Sequence, residues 1–352
     1  MVVAVVAAGG CSSDPGTATS GGSTGGGGSG SGSGTGGSAC APVDDSNPCT
    51  NDICDDGVPV NRPAAAGTPC PSGGTQCDGA GACVLPACTG KLGFSAAPSP
   101  GVGKGPTHVA ARDLNGDGKA DLAVANQDNG TVSVLLNLGN GTFAAAVHYA
   151  AGSGPHSIAA VDMNGDDKPD LAVANDFSNN VSVLLNLGNG TFAPPVNYAA
   201  GVSPRSVAAA DLNGDGKVDL AVASDDSGSV SVLLNLGKGI FAPAVDYAAN
   251  VNPNSIAAVD LNGDGKPDLA VANDGASDAI LNVSVLLNLG NGTFAPAVAY
   301  PVGTSAGSIA AADLNGDGKP DLAVSTYHGD DVRVLLNQGN GTSLPQSPTP
   351  LV

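Results

Sequence analysis

Residues 112–126 read RDLNGDGKADLAVAN, and nearly the same phrase returns four more times. It stands as VDMNGDDKPDLAVAN at 161–175, ADLNGDGKVDLAVAS at 210–224, VDLNGDGKPDLAVAN at 259–273 and ADLNGDGKPDLAVST at 312–326. The opening aspartates are spaced 49, 49, 49 and 53 residues apart, so the chain is an internal repeat whose period settles the architecture. Each period holds four short β-type runs, which in the second unit are 157–161, 170–174, 181–185 and 191–198. Between the third and fourth runs sit Asn140-Gly141, Asn189-Gly190, Lys238-Gly239, Asn291-Gly292 and Asn340-Gly341, and Asn-Gly is the favoured two-residue hairpin turn.

Four antiparallel strands in about 49 residues make one propeller blade, so the predicted fold is all-β, a β-propeller of five four-stranded antiparallel blades. Phe94 stands 12 residues before Pro106, just as Phe143, Phe192 and Phe241 stand 12 before Pro155, Pro204 and Pro253. Residues 92–98 therefore read as an orphan fourth strand. The last unit, ending in TSLPQSPTPLV, has Ser343 in place of the Phe and prolines through the strand pattern. An N-terminal strand completing the final blade would remove open edges and close the ring. A fragment of a seven-bladed ring, or an assembly of two chains, is the competing architecture.

Every unit presents D-x-N-x-D-[GD]-K-x-D. The candidate metal ligands are Asp113, Asn115, Asp117, Lys119 and Asp121; Asp162, Asn164, Asp166, Lys168 and Asp170; Asp211, Asn213, Asp215, Lys217 and Asp219; Asp260, Asn262, Asp264, Lys266 and Asp268; and Asp313, Asn315, Asp317, Lys319 and Asp321. Oxygen donors at alternate positions of a tight loop converge on one point, which suits the six to eight oxygens that Ca²⁺ takes at about 2.4 Å. The lysines are expected to give a backbone carbonyl and leave the ammonium in solvent. Position 6 is Gly in four loops and Asp167 in the second, where Asp tolerates a left-handed backbone better than most residues. An EF-hand opens the same way but needs a Glu at position 12, and here that position is Val124, Val173, Val222, Val271 or Val324. A metal-free Asp/Asn/Gly turn is the bland alternative. Against it, fifteen loop carboxylates in register repel one another unless a cation intervenes, and five Ca²⁺ would bring the formal charge from −20 to about −10.

These motifs resemble the FG-GAP or VCBS repeats of integrin-α-like β-propellers and of many bacterial surface proteins, over residues 92–340. The resemblance implies a propeller, with calcium loops joining the first and second strands of each blade, on the face opposite the usual ligand surface. It does not carry over a ligand.

The flanks point to export. Residues 1–11, MVVAVVAAGGC, resemble a bacterial lipobox with Cys11 as the lipid-bearing residue, or else a plain signal-peptide remnant. Residues 12–39 are almost wholly Gly, Ser and Thr, a flexible tether. Residues 40–88 carry seven cysteines, Cys40, Cys49, Cys54, Cys70, Cys77, Cys83 and Cys88, with too little apolar content to fold without disulfides. The run PCTNDICDDG resembles small Cys-rich modules in front of repeat domains in myxobacterial surface lipoproteins, where a Cys often stands at the position of Pro59, so one thiol is left over. The spacings lack a paired C-x-x-C, which disfavours zinc. The propeller occupies 89–342 and a disordered tail 343–352. Localisation is then outer membrane or cell surface as a lipoprotein, or secreted, with membrane contact only through Cys11.

All 32 acidic residues are Asp, and the net charge of −20 excludes nucleic acid as a natural partner. The primary expectation is a calcium-binding, non-enzymatic module, displayed for binding or adhesion, that recognises a glycan or a surface protein. Its ligand positions would be Thr107, His156, Arg205, Asn254 and Gly307 and the variable connections from the second to the third strand, including the insertion within 274–282 with Ile280 and Leu281. Neutral drift of solvated loops would give the same variation. The Phe/Tyr pairs six apart, from Phe143 with Tyr149 to Phe294 with Tyr300, suit packing between blades better than sugar stacking. A secreted polysaccharide hydrolase or lyase is the first alternative, disfavoured because Glu is absent and His108, His148, His156 and His328 form no recurrent constellation, although Asp176 and Asp225 could meet across the upper face. A structural spacer without a ligand is the second.

Overall fold

The computed structural model describes the strand backbone at 50–55, 58–63, 76–77 and 83–84, and then residues 99–275, 282–303, 305–327, 331–339 and 346–347. The lipobox, the tether, the orphan strand at 92–98, Ile280, Leu281 and His328 lie outside the described residues. Two compact units divide the chain, one almost wholly residues 96–352 and the other 5–95.

In the smaller unit Thr50–Asp55 pairs antiparallel with Val58–Pro63, placing Cys54 opposite Pro59. Gln76–Cys77 pairs with Cys83–Val84, placing Cys77 opposite Cys83. The expected disulfides concern side chains outside the description.

The larger unit is built from four-stranded antiparallel sheets, one per repeat. The first blade comprises Pro106–Arg112, Asp121–Asn126, Thr131–Leu135 and Val147–Ala150. The second comprises Pro155–Val161, Asp170–Asn175, Asn180–Leu184 and Val196–Ala199, and the third Pro204–Ala210, Asp219–Ser224, Ser229–Leu233 and Val245–Ala248. The fourth comprises Pro253–Val259, Asp268–Asn273, Asn282–Leu286 and Val298–Pro301, and the fifth Ala306–Ala312, Asp321–Thr326, Val332–Leu335 and Gln346–Ser347. Alternation along the second and third strands sends one set of side chains to each neighbouring blade, so both faces are apolar and the runs read as Leu, Ala and Val throughout.

Two expectations are corrected. The single fourth run at 191–198 is broken in two: Thr191–Phe192 folds back on Asn186–Gly188 as a small hairpin, and only Val196–Ala199 joins the blade. Pro194 and Pro195 have no N–H to give a ladder, so the chain leaves the sheet between them. The fifth blade, moreover, takes its fourth strand from the C-terminal side, with Leu335 opposite Gln346 and Val334 opposite Ser347, where a strand from 92–98 was expected and the tail was read as disordered. Prolines flank these two residues in the sequence, at 345 and 348.

The turn before the fourth strand has two forms. Asn189 and Gly190, and likewise Lys238 and Gly239, both have positive φ, the type I′ geometry that the Asn-Gly motif predicts. At 140–141 and 291–292 only the glycine does.

Candidate metal loops

The loop of each blade joins its first strand to its second, and the turn before the fourth strand lies at the same end of the sheet. In the first loop the Asp113 carboxylate accepts the N–H groups of Gly116 at 2.7 Å and Gly118 at 2.7 Å, one on each oxygen. Asn115 Oδ1 and Asp117 Oδ1 accept N–H groups two residues on, from Asp117 and Lys119, both at 2.9 Å. These contacts recur in the third, fourth and fifth loops around Asp211, Asp260 and Asp313. The N–H donors hold Asp113 and Asp313 below the usual carboxylate range, that of Gly118 or Gly318 most strongly.

The ninth position behaves differently. Asp121, Asp170, Asp219, Asp268 and Asp321 are wholly buried, and each bridges two parts of its blade. Asp170 accepts Met163 N at 2.9 Å on one oxygen and Asn186 N at 2.7 Å on the other, tying the loop to the turn before the fourth strand. Burial pushes Asp170 up to about 6, with the negative charges of Asp166 and Asp162 adding to the rise. Asp219 and Asp268 rise for the same first reason.

The loop lysines are exposed, and each ammonium finds a partner in its own loop. Lys119 Nζ lies 2.8 Å from Asp117 Oδ2, and Lys168, Lys217, Lys266 and Lys319 pair with the fifth-position Asp in the same way. Each lysine stem crosses the turn glycine of its own blade: a Cβ on Gly139 would meet Lys119 Cε at 2.7 Å, and one on Gly339 would meet Lys319 Cε at 2.6 Å. The stem thus lies over the turn while the ammonium pairs within its own loop, the shortest reach available to a flexible cation beside a carboxylate.

The loops gather three carboxylates and an amide on one short arc, an all-oxygen set of the kind that hard divalent cations take. Among the described residues, no three such side chains are already closed into a cage, because each carboxylate is turned to the N–H groups of its own loop. The second loop differs: Asp167 takes the left-handed conformation with φ 64°, and Asn164 Oδ1 is buried without a hydrogen-bond donor. An orphaned acceptor inside an acidic loop is the local feature that best fits a cation there.

At the other end of the blades, Arg205 reaches Asp225 at 2.8 Å. Burial raises Asp225, Arg205 opposes the rise, and the charges of Asp226 and Asp176 add to it. Phe177 and Tyr327 are exposed there, at 66% and 63%. Ser133 Oγ lies 2.9 Å from His148, but it is wholly buried and also receives Asn126 Nδ2 at 2.8 Å, a structural hydroxyl without access to a substrate.

The aromatic residues pack between blades as expected, with different partners. Tyr149 meets Phe192, Tyr198 meets Phe241 and Tyr247 meets Phe294, each edge to face at 5.4 Å across a joint and not within one unit. One residue type that sequence reasoning missed is the Asn of L-L-N, at 137, 186, 235, 288 and 337, which reaches from its own turn to the preceding blade in all but the first. Its recurrence in every unit was the available signal. The leucines one residue on, Leu138, Leu187, Leu236 and Leu289, are exposed at the loop end and also passed unnoticed.

A family model described as FG-GAP-like repeat matches residues 113–173, 162–222, 211–271 and 260–324. No curated protein matches the chain. Among solved structures, a functionally unknown protein from Desulfotomaculum acetoxidans aligns at 14% identity over 70% of this chain and 69% of that one, with a TM-score of 0.50, a likeness of fold. An Agrocybe aegerita lectin, described as specifically recognising non-reducing terminal N-acetylglucosamine, aligns at 24% identity over 69% of this chain with a TM-score of 0.48. The Vibrio cholerae biofilm matrix protein Bap1 aligns at 21% over 68% of this chain with a TM-score of 0.41. The chain spans 65% of the lectin and 38% of Bap1.

Proposed function

Because the chain belongs to the FG-GAP-like repeat family, we propose that it is a non-catalytic binding or adhesion module, exported, stiffened by about five Ca²⁺, and directed at a glycan or a surface protein. The observation that carries this reading is the contrast between the two ends of the blades. The loop end repeats almost without change, whereas the other end varies from unit to unit, exposes Phe177, Tyr327, Val202 and Val251, and carries the half-buried Arg205–Asp225 pair. Aromatic and aliphatic groups beside fixed polar ones are the usual means of holding a sugar face or a peptide.

In the loops, the first, third, fifth and ninth residues would supply side-chain oxygens and the lysine its carbonyl. Calcium would contribute electrostatic cross-linking of each loop to the turn before the fourth strand. The chain's own part is to hold the ninth-position carboxylate in place, which it does with two backbone N–H groups per blade. Loading requires Lys119 and its counterparts to release the fifth-position Asp. A lipid at Cys11 would hold the module at the cell surface; release without it would make the protein secreted.

The test combines metal and ligand. The full chain should retain about five Ca²⁺ after dialysis and melt at a lower temperature with chelator. Retention on a glycan array or on whole cells should fall on replacing both Phe177 and Tyr327 by Ala, with the melt unchanged. Release of reducing sugar from polysaccharide would instead establish the hydrolase alternative, and a calcium-loaded chain retained by no glycan or cell surface would leave the spacer.

A further inference from the structure

The pentapeptide Gly-Asn-Gly-Thr-Phe stands at 139–143, 188–192 and 290–294, each time as the turn before the fourth strand. An unfolded chain treats the three alike, so a difference in the chemistry of their asparagines comes from the fold. The chemistry at issue is attack by a glycine amide nitrogen on the side-chain carbonyl of the asparagine before it, which closes a five-membered ring. Glycine permits the approach because it has no side chain to obstruct it. The reaction needs a free nitrogen, and donors on the amide oxygen assist it by stabilising the negative charge that develops there.

The first and fourth blades prepare the carbonyl in the same way. Asn140 Oδ1 accepts Thr142 N at 3.1 Å and Thr142 Oγ1 at 2.5 Å, and Asn291 Oδ1 accepts Thr293 N at 3.2 Å together with the Thr293 hydroxyl. In the second blade the Thr191 hydroxyl turns away to Gly188 O at 2.8 Å. The nucleophiles set the first blade apart. Gly190 and Gly292 are buried, and their N–H groups donate to Leu114 O and Leu212 O of the preceding blade, both at 3.2 Å. A Cβ on either would strike a leucine of that blade, Leu136 at 2.5 Å or Leu234 at 2.8 Å. Gly141 is exposed, and among the described residues its nitrogen has no acceptor and nothing would meet a Cβ there. The asparagines of the metal loops are restrained differently: the N–H groups of Gly116, Gly165, Gly214, Gly263 and Gly316 each donate to the opening Asp of the loop at 2.7 Å. After Asn129, Gly130 N donates to Asn126 O at 3.1 Å.

We propose that Asn140 is a site of spontaneous covalent modification, at which the folded chain converts an asparagine to aspartate and isoaspartate as it ages. Gly141 N gives up its proton to a base in the solvent and bonds to Asn140 Cγ. The Cγ–Nδ2 bond then breaks, and the nitrogen leaves as ammonia with a proton returned from the solvent. Water opens the resulting cyclic imide, at Cγ to give aspartate or at the main-chain carbonyl to give isoaspartate, whose backbone runs through Cγ. Water enters, ammonia leaves, and nothing is oxidised or reduced. The product puts a carboxylate in the turn that the Lys119 stem crosses at Gly139. The isoaspartate also adds one backbone atom between Leu138 and Thr142, which pulls apart the Leu138 N–Thr142 O bond of 3.0 Å that shapes the turn.

Peptide mapping by mass spectrometry tests this on the full chain, incubated at mildly alkaline pH either folded or in denaturant, with a melting curve after incubation to show that the folded sample stayed folded. The sequences flanking the three pentapeptides differ, so each asparagine is read separately. In the folded chain Asn140 should gain about 1 Da and yield isoaspartate at least about tenfold faster than Asn189 or Asn291, and in denaturant the three rates should converge. Thr142→Val removes the hydroxyl from Asn140 Oδ1 and leaves the N–H donor, so it should slow the reaction at Asn140 in the folded chain and leave Asn291 unchanged. Equal rates at the three turns of the folded chain would overturn the proposal. So would a metal-loop asparagine such as Asn115 reacting ahead of Asn140, or a lead of Asn140 that persists unchanged in denaturant.

Discussion

The third and fifth blades open their loops with the same eight residues, ADLNGDGK at 210–217 and 312–319, yet the leucine of that phrase is buried in one and half open in the other. Nothing within the repeat differs enough to cause it. What differs is the neighbour: Leu212 lies under the fourth blade, among Ile256, Leu269 and Phe294, and Leu314 joins no such apolar cluster among the described residues. In a repeat protein stability resides in the interfaces as much as in the units, so one side chain can be core or surface according to its place in the series. The largest expected effect follows directly. Leu212→Ala should destabilise by about 2–5 kcal/mol, the usual cost of emptying a packed leucine site. Leu314→Ala in dilute protein should cost about 0.5 kcal/mol. Denaturant titration of both variants measures the gap, and equal losses would mean that Leu314 is covered in solution.

A second comparison separates the first joint from the other three. Val207 N, Ile256 N and Ile309 N each donate to a serine hydroxyl of the preceding blade, Ser157, Ser206 or Ser255. At the first joint Ile158 N donates to His108 Nδ1 at 3.3 Å. Burial lowers His108 from 6.5 to about 4, with the nearby His156 adding to the effect. Above pH 6.5 the imidazole is neutral whether folded or not and costs nothing. As the pH falls from 6.5 towards 4 the unfolded chain takes up a proton that the folded chain refuses, so stability declines over that window, by about 3 kcal/mol in full. His108→Ser, which gives the first joint the serine of the others, should remove that part of the acid sensitivity. Parallel pH profiles of the parent and the variant would show no difference if the histidine is already open to water.

The inter-blade amides provide a third contrast. Asn235 Nδ2 donates to Met163 O at 2.8 Å and to Val218 O at 2.9 Å, and Asn235 is buried. Asn235→Ala takes away the donor to the Val218 carbonyl and one of the two donors to the Met163 carbonyl, which keeps Gly239 N, and should cost about 1–3 kcal/mol. Asn137→Ala removes the bonds to Ala120 O and from Gly139 N at an exposed edge, with no inter-blade bond among the described residues, and should cost less than about 1 kcal/mol.

How much of this was legible in the sequence depends on whether a feature belongs to one unit or to a pair. The period, the four-run content of each blade and the Asn-Gly turns are properties of single units, and the phrase at 112–126 shows them without reference to neighbours. The joints are properties of pairs. Alternation identifies Val230 and Val232 as one face, but says nothing of which blade lies against it, and so packing between blades was legible while the partner of each Tyr, the Phe of the next unit, was not. In the loops, the residue types and their spacing were plain. The clamp of Lys119 on Asp117 was not, because the conformation of a long flexible side chain is settled by the turn glycine that it crosses. The fourth strand of the fifth blade lay in a proline-rich stretch with no alternation to reveal it.

The smallest effect concerns the second loop. Gly118, Gly216, Gly265 and Gly318 have φ near 81°, and Asp167 holds the same place at 64°. A side chain in the left-handed well costs about 1–2 kcal/mol. Glycine avoids that cost but loses more unfolded-state entropy, about 0.4–1 kcal/mol. Asp167→Gly should therefore stabilise by about 0.5 kcal/mol, a rise in melting temperature of about 1–2 °C. In the other described loops the position-3 amide accepts the N–H of position 5, as Asn213 does from Asp215 at 2.9 Å, whereas Asn164 Oδ1 accepts nothing. Relaxing the loop with glycine should let Asn164 take that bond in the apo protein and so blunt the second loop's preference for a cation. Calorimetry of Asp167→Gly with and without calcium distinguishes the two contributions. A melt that rises in chelator and gains less from calcium than the parent fits this account, and one that falls in chelator would mean that the Asp167 carboxylate itself supports the loop.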